Sequence, residues 1–495
     1  MKNLYFSLLA IVSFSAFSQV STPNTGVTWN LDSLVAHLPS AFSLDTNFYA
    51  QVEDLTVSKN DTLKIEGSHY WIIDSAVRIT VEGSFITEGT PNGSLVMESF
   101  DTSSTWDGLR FEDSSYVSIK NTIISHSGGL RVLTENFKID SCQIVRSHAE
   151  GTSPSGAINI SRGKPFITNC TINLNAQPAI ASGANQQVSA YIKNCMIAGN
   201  NLENSNRPQI NLGPTHPDDS TYILNSSIIG DSNLDKVGAI SVSTLLGGYS
   251  VNAVIDSNYI TNNRYGITMY SATYARISNN QIVDNDAETN PMNGGSGISL
   301  YNGSNVRAYQ NNISGNLWGI TLLGSASINL GDTASGNFNI GQNVFSNNGN
   351  GGVTYALYNN TTNTITALNN CWTGDSSATL ADAEDVIFHS NDNNTLGEVL
   401  FDPIWDCRED VDSTSGLMDY NIQDLDVYPN PSASLINLNS KSNGTLEIHN
   451  TSGILMKKIL VASGDNRITH HLSPGIYLLT LHSDKQLYRS KLIVR

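Results

Sequence analysis

The sequence predicts an all-β chain: a parallel β-helix followed by a small C-terminal β-sandwich. Three observations carry that expectation. One short pattern is written three times between residues 258 and 323. It reads Asn258-Tyr259-Ile260 then Gly266-Ile267-Thr268-Met269-Tyr270, Asn280-Gln281-Ile282 then Gly297-Ile298-Ser299-Leu300-Tyr301, and Asn311-Asn312-Ile313 then Gly319-Ile320-Thr321-Leu322-Leu323. The pattern extends in both directions at one register. Finally, the chain is rich in Asn, Ser, Thr and Gly, poor in Lys and Arg, and has no sustained 3.6-residue apolar stripe of the kind a helical or leucine-rich repeat requires.

Each piece of the pattern has a physical task. The strand after the Gly alternates at period two, so Ile267 and Met269 face one side while Thr268 and Tyr270 face the other. A lone strand of this kind buries too little to hold itself, but copies stacked about 4.8 Å apart make continuous apolar ladders. Asn at the corner tolerates left-handed backbone angles, and stacked amides bond along the column. The apolar member of the motif falls at Ile123, Ile144, Ile172, Ile197, Ile228, Ile260, Ile282, Ile313, Phe345 and Trp372. Two residues earlier stand Asn121, Cys142, Cys170, Cys195, Ser226, Asn258, Asn280, Asn311, Asn343 and Asn370. The ten positions span 249 residues, a mean repeat near 28, with spacings of 21 to 32 that variable corner loops account for. A β-sandwich of many short strands is the competing architecture.

Taken in order, residues 1–18 read as a signal peptide: Lys2, an apolar run from Leu4 to Phe17, and Ala16-Phe17-Ser18 before Gln19 as the cleavage site. That run is too short to anchor the chain, and no later stretch approaches a spanning helix, so the protein is expected not to be transmembrane. Residues 19–56 are assigned to an N-terminal cap, with Leu31, Leu34, Val35 and Leu38 at helical spacing before Pro39, because a solenoid end exposes strand edges that something must cover. Residues 57–408 are the β-helix with its closing segment, 409–426 an acidic linker, and 427–495 the terminal sandwich.

The stretches Asp61-Thr62-Leu63-Lys64-Ile65, Val81-Glu82-Gly83-Ser84-Phe85-Ile86 and Trp106-Asp107-Gly108-Leu109-Arg110-Phe111 resemble those of secreted right-handed β-helix proteins with the pectate-lyase-like solenoid. That resemblance implies a fold and export rather than a reaction. The last segment carries Val427-Tyr428-Pro429-Asn430-Pro431, Gly453-Ile454-Leu455, Pro474-Gly475-Ile476-Tyr477-Leu478-Leu479 and Lys491-Leu492-Ile493-Val494-Arg495. It closely resembles the type A C-terminal sorting domain of the type IX secretion system of Bacteroidetes. The resemblance implies a small β-sandwich recognised by the secretion machinery at the outer membrane and usually removed on export, with the cargo released or attached at the surface. Alternating strands between Gly, Asn and Ser turns agree with that fold, and would also suit a carbohydrate-binding sandwich.

Five cysteines in an exported chain invite disulfides. Cys142, Cys170 and Cys195 share the register of the Asn positions and stack on neighbouring rungs, either as a buried sulfur ladder or with a bridge between adjacent members. Cys371 and Cys407 flank the closing segment, where a bridge would staple the C-terminal cap. No cysteine has the His spacing of a zinc site.

The formal charge of −18 argues against a nucleic-acid partner. An anionic polymer would need a local basic patch or a bridging cation; no cofactor is expected, and Ca2+, which could bridge, has no clear motif here. The expected partner is an extracellular polysaccharide. Tyr270 and Tyr301 share one outward register and offer ring faces to sugars, and Arg276 and Arg307 share another that suits carboxylate or sulfate groups. An ordinary solvated face with a packed tyrosine pair explains the same residues. Arg264, Asp284 and Asp286 add corner charge of both signs.

Catalytic signals are weaker. No carboxylate cluster with an Arg base is found, and Asp218-Asp219 lack the companions of a hydrolase and read as a turn. His126 and His148 lie at neighbouring corners beside Arg131 and Arg146, which could abstract a proton from a uronic acid but equally read as solvated corner residues. The sequence therefore points to a secreted or surface-displayed solenoid that binds polysaccharide or serves adhesion. The alternative is a lyase, ahead of a hydrolase, acting on an acidic polysaccharide.

Overall fold

The structure, a computed structural model, describes residues 19–90, 93–148, 150–153, 155–407, 423–425, 427–440, 444–450, 455–470, 472–483 and 486–495. The expected signal peptide, most of the acidic linker, and Gly453-Ile454 of the terminal motif lie outside the described residues. The chain divides into two compact units, Met1–Arg408 and Glu409–Arg495.

The first unit is a parallel β-helix. Every coil visits three sheets in turn: sheet 1 of 14 strands from Gln19–Ser21 to Ile387–Phe388, sheet 2 of 14 strands from Thr28–Trp29 to Val399–Leu400, and sheet 3 of 13 strands from Phe42–Leu44 to Val344–Ser346. All neighbours within them pair in parallel except Phe42–Leu44 with Tyr49–Gln51, which turn back on one another at the N-terminal end. Strands 19–21 and 28–29 already pair as rungs of sheets 1 and 2, so the solenoid begins inside the stretch assigned to a cap. The helical spacing seen there forms the helix Leu31–His37, capped by Asn30, with Leu31 and Leu34 buried.

The inward ladder of sheet 3 runs through Ile144, Ile172, Ile197, Ile228, Ile260, Ile282, Ile313 and Phe345, all fully buried, and ends with Trp372 stacked 4.9 Å from Phe345. The first coil departs from the expected register by one residue. Ile124 pairs with Ile144, and the buried Thr122, not Asn121, heads the column.

The corner between sheets 2 and 3 also corrects the expected role of its asparagines. The left-handed residue is the one before the ladder: Asn121, Ser141, Asn169, Asn194, Asn225, Ser257, Asn279, Gln310, Gln342 and Asn369 all have φ between 47° and 58°. The ladder residue itself is buried and spends its amide on the backbone. A second amide ladder, Asn175, Asn200, Asn263, Asn285, Asn316 and Asn348, fills the corner between sheets 3 and 1. One coil lacks its Asn there, and Gln209 closes the gap, accepting from Asn200 at 3.0 Å and donating to Asn263 at 2.9 Å.

The far end is closed by residues 371–407. Cys371 and Cys407 are bridged with a Cα separation of 5.2 Å, and the buried His389 ties Glu384 at 3.1 Å to the Val399 N–H at 3.0 Å. Cys142, Cys170 and Cys195 are free thiols stacked in the core.

The second unit packs a five-stranded sheet and a three-stranded sheet around Ile436, Leu438, Leu446, Ile448, Leu479, Leu481 and Leu492. The Pro429 and Pro431 peptides of its opening motif are cis.

Candidate functional site

The outer face of sheet 1 carries a walled groove that exists because corner lengths differ between coils. The chain crosses from sheet 3 to sheet 1 in three residues between Ser314 and Trp318, but takes twelve between Val283 and Ser296. The longer crossing folds over the sheet as a wall of Pro291, Met292, Asn293 and Gly294. Three hydrogen bonds pin it: Trp318 Nε1 donates to the Pro291 carbonyl at 3.0 Å, and Arg264 donates to the Asn293 carbonyl from Nε at 2.9 Å and from a second guanidinium nitrogen. The Arg264 guanidinium also reaches Asn206 Oδ1, on the same corner two coils back.

Beneath the wall the sheet supplies the floor. Two outward rows run along it, Thr268, Ser299, Thr321 and Tyr358 in one, Tyr270, Tyr301, Leu323 and Asn360 in the other. The Tyr270 and Tyr301 rings are 6.2 Å apart and 17° from parallel. Trp318 packs against Tyr355 at 4.6 Å and Tyr358 at 5.0 Å, and Tyr358 stacks on Phe388 at 4.7 Å. Tyr265 lies flat across the backbone of Gly238, where a Cβ would come within 2.1 Å of its ring, so only glycine lets the ring into the groove. Burial pushes the Tyr265 phenol far above its ordinary range, which keeps it neutral.

The resulting cavity is about 420 Å³, a size that suits a few sugar rings or a small ligand. Its lining includes no carboxylate and no imidazole. Apart from the pinned Arg264 and the phenols, its polar groups are hydroxyls and amides.

The structure brings Tyr270 and Tyr301 together on sheet 1, as consecutive coils require, but places Arg276 and Arg307 on sheet 2 of the same coils. The four do not form one patch. Arg276 is engaged by Tyr309 Oη at 3.2 Å and Asp256 at 3.9 Å, and Arg307 reaches the Phe338 carbonyl at 3.5 Å over a separate hollow of about 220 Å³. Trp318 and Tyr358 were not legible as site residues, because Tyr358 reaches the floor only after the hairpin Gly349–Asn350 with Val353–Thr354.

The histidine reading does not assemble. His126 and Arg146 occupy left-handed corner positions, and His126 Nδ1 faces Glu98 at 3.3 Å. Arg131 stands on the outer face of sheet 1 and lines a cavity that neither His126 nor His148 enters. Asp218 and Asp219 form the turn after His216, and Asp219 is paired with Lys164 at 2.9 Å. Among the described residues no cluster of three or more His, Cys, Asp or Glu side chains is placed to hold a metal ion.

A three-sheet parallel solenoid with amide ladders and a separate terminal β-sandwich defines a class, the exported β-helix proteins with a sorting tail. Comparison with protein families agrees on both parts: residues 216–395 match the right handed beta helix region, and residues 426–495 match the secretion system C-terminal sorting domain. The chain is a right-handed β-helix protein that carries a type IX sorting tail and is exported to the cell surface or the extracellular space. No described helix is long and apolar enough to cross a membrane. No curated protein matches the chain.

Proposed function

We propose that this protein is a non-catalytic carbohydrate-binding solenoid that holds a neutral stretch of extracellular polysaccharide in the groove on sheet 1. The observation that carries the reading is the floor itself. Tyr301, Trp318 and Tyr358 line the groove on three successive coils and Tyr270 continues their row on the coil before, with hydroxyls and amides between them and no carboxylate or imidazole in the lining. Pyranose rings have apolar C–H faces that pack on such rings and equatorial hydroxyls that bond to such amides. Export by the type IX route puts the groove where such polymers are met. A hydrolase would need a pair of carboxyl groups at the reacting bond and a lyase a free base there; the groove lining holds no carboxylate or imidazole, and its Arg264 is engaged by the Asn293 carbonyl.

Affinity electrophoresis of the purified chain through neutral glucans, galactans, mannans and xylans tests this. At least one polymer is expected to retard the protein, and Tyr301→Ala with Trp318→Ala is expected to weaken retention at least about tenfold, near 1.4 kcal/mol. Tyr301 is 39% exposed, so its truncation leaves the core intact. New reducing ends, or a rise in absorbance at 235 nm from β-elimination, would instead establish turnover and sink the binding reading.

A further inference from the structure

The second developed surface lies on earlier coils, at the corner between sheets 1 and 2. Its sequence signal is a residue four places before each ladder position: Lys138, Phe166, Tyr191, Tyr222, Val254 and Arg276 precede Cys142, Cys170, Cys195, Ser226, Asn258 and Asn280. The structure puts these six in register on the outer face of sheet 2. Period-two alternation would normally place polar side chains there. Three successive coils place aromatics instead, with ring centroids 5.5 Å apart for Phe166 and Tyr191 and 5.9 Å apart for Tyr191 and Tyr222. Phe166 is 40% exposed, so the row is a surface and not a core.

The row adjoins a cavity of about 770 Å³ through Lys164, which lines the cavity and holds its ammonium 5.2 Å from the Tyr222 ring centroid. The cavity is cationic on an acidic protein. Arg162 and Lys164 in its lining have carboxylate partners, Asp113 at 2.7 Å and Asp219 at 2.9 Å. Arg131 has none among the described residues; its register neighbours on sheet 1 are Arg110, itself paired with Glu112, and Asn159. Glu135 on the exposed rim is the remaining carboxylate in the lining. In the same lining the Ser161 hydroxyl, which can donate, is buried without a hydrogen-bond partner. A partly buried guanidinium next to a like charge is unfavourable for folding alone, and burial together with Arg110 lowers its pKa. An oxyanion would satisfy it in a bidentate bond.

We propose that this corner is a second carbohydrate site, specific for an anionic polysaccharide, in which Phe166, Tyr191 and Tyr222 stack sugar faces while Arg131 and Lys164 hold a carboxylate or sulfate group. The site stands apart from the sheet 1 groove and does not depend on it. Its ligand chemistry is an oxyanion on a pyranose, and uronates and sulfate esters both supply that.

The test uses the full chain and two matched pairs of polymers: alginate against its propylene glycol ester, and carrageenan against agarose. Retention by alginate or carrageenan but not by the uncharged partner is expected, and which of the two binds names the oxyanion. Arg131→Gln is expected to raise Kd at least about tenfold without lowering the melting temperature, because it removes a like-charge neighbour of Arg110. Phe166→Ala with Tyr191→Ala is expected to weaken binding by a similar factor, while Tyr301→Ala with Trp318→Ala leaves it unchanged. Failure of both charged polymers to bind, equal binding of an uncharged partner, or anionic binding that survives Arg131→Gln and the aromatic double variant would overturn the proposal. Loss of neutral-glycan binding alone bears on the sheet 1 groove and not on this site.

Discussion

Along the corner between sheets 2 and 3, Cys142, Cys170 and Cys195 occupy the positions that Asn258, Asn280, Asn311, Asn343 and Asn370 occupy further on. In mid-column each side-chain amide of the Asn stretch is bonded in four directions. Asn280 Nδ2 donates to the Ile255 carbonyl and to Asn311 Oδ1, both at 2.9 Å, and its Oδ1 accepts the N–H and the Nδ2 of Asn258, both at 3.0 Å. The thiol stretch has only weak donors, such as Cys142 Sγ to the Asp140 carbonyl at 3.2 Å and Cys170 Sγ to the Thr168 carbonyl at 3.1 Å. Ser226 splices the two, accepting the Cys195 N–H at 3.0 Å and giving its own N–H to Asn258 Oδ1 at 2.9 Å. The backbone tolerates both fillings because the preceding residue, not the ladder residue, makes the left-handed bend. Shape and bonding are thus assigned to neighbouring positions, and the ladder residue sets strength alone.

The largest effect is expected where an amide is removed from the middle of its column. In a dry interior, Asn280→Ala strips the Asn258 N–H of its acceptor and the Ile255 carbonyl of its amide donor, and it removes one partner each from Asn258 Nδ2, which keeps the Ile223 carbonyl at 2.8 Å, and Asn311 Oδ1, which keeps the residue 280 N–H at 3.0 Å. Each buried unsatisfied group costs roughly 1–3 kcal/mol, and with partial relaxation the total is about 3 kcal/mol. Chemical unfolding of the β-helix measures it. A loss below about 1 kcal/mol would mean that water replaces the amide and that the column is not what holds the corner.

A charged version of the same device separates bonding from pH. Asp61 is 1% exposed and collects the N–H groups of Asn24, Thr25, Gly26 and Val27 at 2.8 to 3.2 Å. Burial raises its pKa, but hydrogen bonds from Thr22, Asn24, Val27 and Gly26 outweigh it and hold the carboxyl below its ordinary value. The folded value being depressed, this contribution is complete above the unfolded pKa of about 3.9 and is lost as pH falls through the folded one. Hydrogen exchange, corrected for intrinsic rates, should therefore show residues 24–27 losing protection below about pH 4 while the neutral corners at 258–311 keep theirs. Asp61→Asn should reproduce the loss at pH 7, at about 2 kcal/mol, since an amide nitrogen would then face a backbone donor.

Much of this was legible in the sequence because a ladder is a one-dimensional object. The apolar and polar members of the sheet 3 motif stood at fixed offsets, and nine of the ten apolar positions fall in the structural register. The second amide ladder had an equally plain signal, an Asn five residues after Cys170, Cys195, Asn258, Asn280, Asn311 and Asn343, and so did the aromatic row at four residues before. The wall of the sheet 1 groove had a weaker one, the long spacing after Ile282. What no offset could show is which face a register row belongs to. Tyr270 and Arg276 are six residues apart, yet one lies on sheet 1 and the other on sheet 2, because the chain turns at Thr273.

The smallest effect is expected in the thiol column, and it sharpens the contrast most. Cys170 sits between Cys142 and Cys195, and the neighbouring sulfurs together with burial push its thiol well above the ordinary value. It therefore stays protonated, a small apolar filler with a weak S–H bond. Cys170→Ala removes that filler without stranding a strong donor or acceptor, so the cost should be about 1 kcal/mol, roughly a third of that for Asn280→Ala. Thiol reagents should leave all three cysteines unmodified at neutral pH in the folded chain and label them only on unfolding. A cost for Cys170→Ala equal to that for Asn280→Ala would show that volume, not hydrogen bonding, governs the corner. Rapid native labelling of any of the three would show that the column opens, and the two halves would then differ in dynamics as well as in bonding.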